Sequence, residues 1–457
     1  MRVELNIPLD IYEIASSLST DMSSVALIHK KITAICTDTR ECKPEDIFVA
    51  ISGGNDSGEK YVSDALSKGC YVISSVKQKG VIHVDSTTDA LLKIAELYKS
   101  KLPLKNTVAV TGSVGKSTTV KFISKILKQK YKVHSPSGNF NNHLGVPLTV
   151  LGAGSDTEIL VLELGMNHRG EISRLSKYIK PDIGIITNIG TAHIGNLGSR
   201  KGIAEAKTEI LSGIKDGHLL IPSDEPLLYG LKNSLTVGKN SSLSDFSLNG
   251  TDAGYIFKSK LKEIRDIHFF VSREHLLTNL SFAISVAVLL GLSENEIQNG
   301  IASISDEDLR QRFIVLHDFT IFDDSYNASL ESVIADLIYI SKHNGARSAL
   351  LGDVLELGVD TARIHESIGR IAADLKIDRL YLYGSYAVHI AEGATNAGMP
   401  SSSIFINDSI PSPEISVKHI IDNHTPGELI LFKASHKMRL DKIANMIMEE
   451  ERIRNEL

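Results

Sequence analysis

The 457-residue sequence is poor in cysteine, in net charge and in uninterrupted apolar stretches, and each shortage excludes a class of protein. Its three cysteines, Cys36, Cys42 and Cys70, fall in the first sixth of the chain without metal-ligand spacing. They make no disulfide frame and are expected as reduced thiols of a cytoplasmic protein. Forty-nine basic against 55 acidic residues leave a formal charge of −6, so no concentrated basic face for nucleic acid is expected. The most apolar stretch, HLLTNLSFAISVAVLLGL (275–292), is punctuated by Thr278, Asn279, Ser281 and Ser285. It therefore reads as a buried helix and not as a membrane span. The opening MRVELNIPLD carries charges and no apolar core, unlike a signal peptide. There is neither an internal repeat nor a low-complexity run. A soluble, intracellular protein with no membrane partner is expected.

What is present is alternation. A chain of this length suggests roughly three domains. Residues 1–102 alternate short apolar runs (DIFVAI, CYVISSV, GVIHV) with helical stretches (YVSDALSKG, DALLKIAELYKSK), which reads as a small α/β unit, and SKLPLKN makes a linker. In 103–310 the runs EILVLELG, DIGIITNIG and HLLIPSD predict strands separated by helices, hence a mainly parallel sheet with helices on both faces. In 311–457, FTIFDDSY, RSALLGDV, RLYLYGS and GELILFKAS predict a second open, Rossmann-like α/β sheet. Ligands bind such sheets beyond the carboxyl ends of the strands.

The densest signal is TVAVTGSVGKSTT (107–119). A phosphate loop normally reads G-x-x-x-x-G-K-[ST], yet Val110 stands where its first glycine belongs. What remains is Gly112-Ser113-Val114-Gly115-Lys116-Ser117-Thr118. The β-branched run before it predicts a buried strand, and Val120, Ile123, Ile126 and Leu127 after it have helical spacing. Strand, turn and helix N-terminus aim N–H groups and the positive helix end at one spot. Lys116 would add a full charge for the β/γ-phosphates and Ser117 a hydroxyl for Mg²⁺. A nucleoside triphosphate is expected here.

Other strand ends carry polar groups. Glu163 closes LVLELG, and Asn188 and His193 follow an apolar run in ITNIGTAHIG. Lys207 lies inside a predicted helix in SRKGIAEAKTEIL, where composition alone leaves it a solvated lysine. Glu163, His193 and Ser117 together offer ligands suited to a divalent metal near a triphosphate.

These residues carry a resemblance to the Mur ligase family. TGSVGKST resembles its shortened ATP loop, TDTRECKPEDIFVAISG the uridine-nucleotide motif of its first domain, and NIGTAHIGNLGS with IAEAKTEI its histidine and lysine segments. GNFNNHLGVPLTVL, ELGMNHRGEI, DDSYNA and LGDVLELG follow the branch that adds D-alanyl-D-alanine to a UDP-linked muramoyl tripeptide. The resemblance implies an ATP-dependent, ADP-forming ligase of peptidoglycan synthesis, a cytoplasmic monomer using ATP and Mg²⁺ and passing through an acyl phosphate. It implies that 1–102 bind the uridine substrate, 103–310 bind ATP, and 311–457 meet nucleotide and incoming amine.

The resemblance also implies roles for single residues. Glu163 would hold Mg²⁺ with Ser117, and His193 a second Mg²⁺. Lys207 would be carbamylated and serve the metal. Asn279, Arg312, Asp324, Tyr326 and Asn327 would reach the nucleotide, and Asp38, Thr39, Arg40, Asn141 and Asn142 the substrate.

The chain departs from the family where Asn-Pro is replaced by Ser329-Leu330, where Gly-Arg becomes Gln311-Arg312, and where a late KGS reads KAS at Lys433 to Ser435. The first and third departures lie in the domain that receives the amine, so acceptor choice is expected to reside there. A Mur-type ligase with another amine acceptor or acid is the alternative. The DNPR-type motif of the sibling that adds the third amino acid is absent. A nucleotide-dependent switch would bind ATP without requiring an amine.

Overall fold

A computed structural model describes residues 1–19, 30–53, 56–239, 243–252, 254–270, 274–309, 311–408 and 412–456. The expected boundary at residue 310 lies outside them. Three main sheets follow one another along the chain. The first has five strands between Arg2 and His83, with one antiparallel edge pair and the rest parallel.

The second sheet has nine strands. Its third strand from one edge is Asn106–Thr111, flanked on opposite sides by Ile159–Glu163 and Ile183–Ile186, all parallel. The chain departs in both directions from this strand, which places a topological switch point at its carboxyl end. Register then sets the site: Glu163 pairs with Val110 and Ile186 with Thr111, so three strand ends finish level with one another.

Alternation along these strands assigns each face its own core. Val108, Val110, Ile159, Val161, Ile183 and Ile185 pack with the helices Lys116–Leu127 and Glu274–Leu289. Ala109, Leu160, Leu162 and Ile186 pack on the opposite face with Leu148, Leu175 and Ile203. The stretch at 275–292 is thus a helix lying on a sheet, and among the described residues no helix is long and apolar enough to cross a membrane. An antiparallel ribbon, Phe246–Thr251, Gly254–Ser259 and Glu263–Ile267, extends the sheet beyond the expected strands.

The third sheet has six strands, all parallel except the edge strand Arg312–Val315. The four expected strands are there, joined by Arg312–Val315 and Ile404–Asn407.

The units are joined in different ways. The first and second sheets share a single apolar cluster, and the buried Tyr98 hydroxyl donates to the Ala153 carbonyl at 2.6 Å. The third sheet has clusters of its own and meets the second chiefly through polar loops.

Candidate active site

The phosphate loop is built as strand, turn and helix. Gly115 has φ +81° and caps the helix Lys116–Leu127, and a Cβ there would lie 2.7 Å from the Asn279 amide oxygen. Only glycine fits both demands. Asn279 is buried on the neighbouring helix and lies close against Gly115.

A brace for the loop comes from the end of strand Ile183–Ile186. The Asn188 side-chain oxygen accepts from the N–H groups of Ser113 and Val114 at 3.1 and 3.0 Å. The Thr187 hydroxyl donates to the Val114 carbonyl at 2.6 Å, and the Ser113 hydroxyl accepts from the Gly190 N–H at 2.9 Å. Lys116 folds back, its Nζ donating to the Gly112 carbonyl at 2.8 Å and to that of Ser113 at 3.3 Å. Ser117 and Thr118 follow in the first helical turn, half-buried.

The hard-ligand group is assembled too. The Ser117 hydroxyl donates to the buried Glu163 carboxylate, whose other oxygen accepts from the Asn141 amide at 2.8 Å. Asn141 therefore belongs with this carboxylate. Asn142 is differently employed: its side-chain oxygen accepts from Leu144 and Gly145 N–H at the start of helix Gly145–Leu151.

Lys207 lies on helix Arg200–Thr208 and is only 2 % exposed. No hydrogen bond or ion pair reaches its ammonium from the described residues. Burial first, and then the neighbouring Lys116 charge, hold its pKa well below the usual lysine value. The solvated-lysine alternative is thereby overturned.

His193 is on a loop of the second unit with φ +63°, and its Nδ1 pairs with Glu356 of the third unit. A further link runs from the Thr191 hydroxyl to the Glu331 carboxylate at 3.1 Å.

The nucleotide-facing residues expected in the third unit separate into two groups. Arg312 Nε donates to Asp323 at 2.8 Å with its side chain half-exposed. Tyr326 packs against His436 with ring centroids 5.2 Å apart and planes tilted by 41°, and Asn327 is exposed. Asp324, by contrast, is buried and held by Lys433 and by Gln311 at 3.1 Å. Lys433 also pairs with Asp336 at 3.0 Å, and Gln311 donates to Asp336 at 3.1 Å. Asp324, expected to reach the nucleotide, is thus also part of an internal network.

In the first unit, the Asp38 carboxylate binds the Arg40 guanidinium through both oxygens, at 2.9 and 2.6 Å, which keeps its pKa far below the usual range. Arg40 projects into solvent, while Thr39 is buried with its carbonyl accepting from Lys68 at 2.7 Å. All three cysteines are free.

A strand-end phosphate loop, a carboxylate on its serine and a buried unpaired lysine can be compared with known proteins. The Mur ligase middle domain matches residues 110–289, and the Mur ligase glutamate ligase domain matches residues 310–436. The chain belongs to the Mur ligase family. It is an ATP-dependent, ADP-forming ligase.

Among its relatives is the UDP-N-acetylmuramoyl-tripeptide–D-alanyl-D-alanine ligase of Bacillus subtilis, 34% identical over 92% of this chain and 93% of that one. The same-named Synechocystis protein is 30% identical over 98% and 99%. MurF from Acinetobacter baumannii superposes with a TM-score of 0.86 at 25% identity, covering 98% of this chain and all of that one. MurF from Thermotoga maritima in complex with ADP gives 0.79 at 27% identity, covering 92% and 98%.

Within this family the Ser329-Leu330 departure has a local explanation. Ser329 is the N-cap of helix Leu330–Ile340, accepting from the Ser332 N–H, and Leu330 is the first helical residue. Asn is an equally good N-cap and Pro is favoured at the first helical position, so Asn-Pro and Ser-Leu are two spellings of one helix start. The expectation that this pair bears on acceptor choice loses its motive.

Three contributors had no assigned role from sequence: Asn188, Glu331 and Glu356. Asn188 was visible as a polar residue ending an apolar strand, and Glu356 sits inside LGDVLELG. Their partners lie 74 and 163 residues away, which no local pattern reveals.

Proposed function

We propose that this Mur ligase joins the peptide carboxylate of UDP-N-acetylmuramoyl-tripeptide to the amine of D-alanyl-D-alanine in peptidoglycan precursor synthesis. Likeness to relatives of that name runs through all three sheets and supports the choice of substrates. The observation that carries the chemistry is the buried Lys207 beside Lys116, with no carboxylate partner among the described residues.

The substrate carboxylate attacks the γ-phosphorus, the bond to ADP breaks, and an acyl phosphate forms. The dipeptide amine then attacks the acyl carbon, phosphate leaves, and the nitrogen loses a proton as the amide forms. Negative charge on the transferring phosphoryl group calls for positioned cations more than for covalent help. Lys116 supplies one, at the mouth of a loop braced by Asn188.

The donor set fits Mg²⁺. Ser117 and Glu163 would hold one ion, His193 a second, and a carbamylated Lys207 would serve the metal, giving hard oxygen ligands and one imidazole. When bound, the metal neutralises phosphate charge during transfer. The neutral amine is the form that adds CO₂, and burial shifts Lys207 toward it, which supports this modification.

Residues 1–102, 103–310 and 311–457 would seat uridine nucleotide, ATP and amine respectively, with Asp38, Thr39, Arg40 and Asn141 toward the substrate. Arg312, Tyr326 and Asn327 would face the nucleotide. Contacts between the second and third units would keep water from the acyl phosphate. The protein would work as a cytoplasmic monomer on these small molecules.

The test is phosphate release from ATP and Mg²⁺ with UDP-N-acetylmuramoyl-tripeptide, with and without D-alanyl-D-alanine. Sustained release that needs both substrates is expected. Release needing another amine would move the acceptor, and release needing neither substrate would remove ligation altogether.

A further inference from the structure

The contact between His193 and Glu356 joins two units whose cores are separate. Both residues have left-handed backbones, φ +63° and +66°, a conformation that non-glycine residues seldom adopt because it crowds Cβ against the backbone. An exposed ion pair contributes little to stability and gives no reason to hold two such residues. Strain of this kind points toward function.

The surroundings fix the pair closely. The Gly195 N–H donates to the Glu356 carbonyl at 3.0 Å, and a Cβ on Gly195 would lie 2.6 Å from the Gly358 nitrogen. The two loops therefore touch backbone to backbone. On the third-unit side, the Leu355 N–H donates to the Ser435 hydroxyl at 2.9 Å, and the Ser435 N–H to the Asp353 carbonyl at 3.0 Å. Ser435 closes the KAS segment, so the late motif braces the loop that carries Glu356.

An imidazole can ligate through either nitrogen and can rotate. A carboxylate on Nδ1 selects the tautomer with its proton there, leaves the Nε2 lone pair free, and fixes the ring plane. We propose that Glu356 is a positioning residue that presents His193 Nε2 to a divalent cation, so that the third unit completes a metal site on the second. This inference rests on the reading of His193 as a ligand. It adds that the ligand is competent only when the two units are docked.

The test uses the full chain, a non-hydrolysable ATP analogue, and Mn²⁺ as the probe, with free Mn²⁺ read by electron paramagnetic resonance. Glu356→Ala should weaken the second Mn²⁺ by about 10- to 100-fold, the range for loss of a carboxylate behind a metal-bound histidine. Glu356→Gln should recover much of this, because its amide oxygen can still accept from Nδ1–H. His193→Ala should weaken Mn²⁺ at least as much, and adding Glu356→Ala to it should change nothing further. Analogue binding in EDTA and the thermal midpoint should stay near wild type in all variants, which a merely structural role for Glu356 would not allow. Wild-type Mn²⁺ affinity in Glu356→Ala, with loss in His193→Ala, would overturn the positioning role alone. Wild-type affinity in His193→Ala would overturn the reading of His193 beneath it.

Discussion

The side-chain oxygen of Asn188 accepts from two consecutive loop N–H groups, those of Ser113 and Val114, at 3.1 and 3.0 Å. A phosphate loop two residues short has less backbone with which to hold its own shape. Here a neighbouring strand end supplies the brace, and two loop donors point at protein. Asn188→Ala removes an acceptor from both, at about 0.5–1.5 kcal/mol each. The expected outcome is ADP binding roughly 30-fold weaker, from about 2 kcal/mol lost, with uridine-substrate binding unchanged. Calorimetric titration of ADP decides it, and unaltered affinity would show that the loop needs no brace.

The buried network of Gln311, Asp324, Asp336 and Lys433 makes a statement about pH. Burial pushes the Asp336 pKa up to about 8, while Lys433, raised by its two carboxylate partners, stays charged and serves chiefly Asp324. An unfolded Asp titrates near 3.9. Between about pH 4 and 8 the folded state thus keeps a proton that the unfolded state has lost. Stability from this group is complete below the unfolded pKa and falls as pH rises through the folded one. Asp336→Asn carries no such proton, so the denaturation midpoint of the variant should fall less than that of wild type between pH 5 and 8. Parallel curves would refute the assignment. Lys433→Met, which leaves buried carboxylate unpaired, should lose about 3–5 kcal/mol.

The Ser329 cap bears on specificity. If Ser-Leu and Asn-Pro start the helix equally well, the double substitution Ser329→Asn, Leu330→Pro should alter neither the ranking of D-amino-acid dipeptides nor the thermal midpoint by more than a degree or two. A panel of dipeptide acceptors assayed by phosphate release tests this directly. A reordered ranking would return acceptor choice to the pair.

How far the sequence revealed this arrangement depended on distance along the chain. The strand, loop and helix around Lys116 were legible because β-branched and helical spacings change over within a dozen residues. The ribbon at 246–267 was missed, since its strands are short, partly exposed and broken by glycine and lysine. Asp324 read as a nucleotide-facing residue, while its link to Lys433, 109 residues away, left no local signal. Lys207 looked solvated because burial of one helix position is decided by what packs over it. Glu356 stood in a recognised motif, but its partner belongs to another unit.

Lys207 carries the sharpest prediction. Two lysine ammonium groups with two Mg²⁺ nearby would be mutually repelled, and one pair of unit charges at 4 Å costs about 4 kcal/mol at an effective dielectric of 20. Protein burial already disfavours the Lys207 charge, and no carboxylate among the described residues compensates it. Adding CO₂ to the neutral amine reverses the sign: the nitrogen loses its proton, a C–N bond forms, and the product carries a carboxylate-like oxygen pair. The position then attracts metal. Lys207→Ala should lose at least 100-fold in ligase rate, about 2.7 kcal/mol of transition-state stabilisation, while retaining ADP binding in EDTA. Acetate or another short acid at millimolar concentration should restore part of the rate by filling the vacated carboxylate site. Mass spectrometry of the wild-type chain, kept in bicarbonate, should find the added CO₂ on the peptide containing Lys207. Near-normal rate in the alanine variant would make Lys207 a bystander. A crippled variant that no acid rescues would keep the lysine essential and remove carbamylation as the reason.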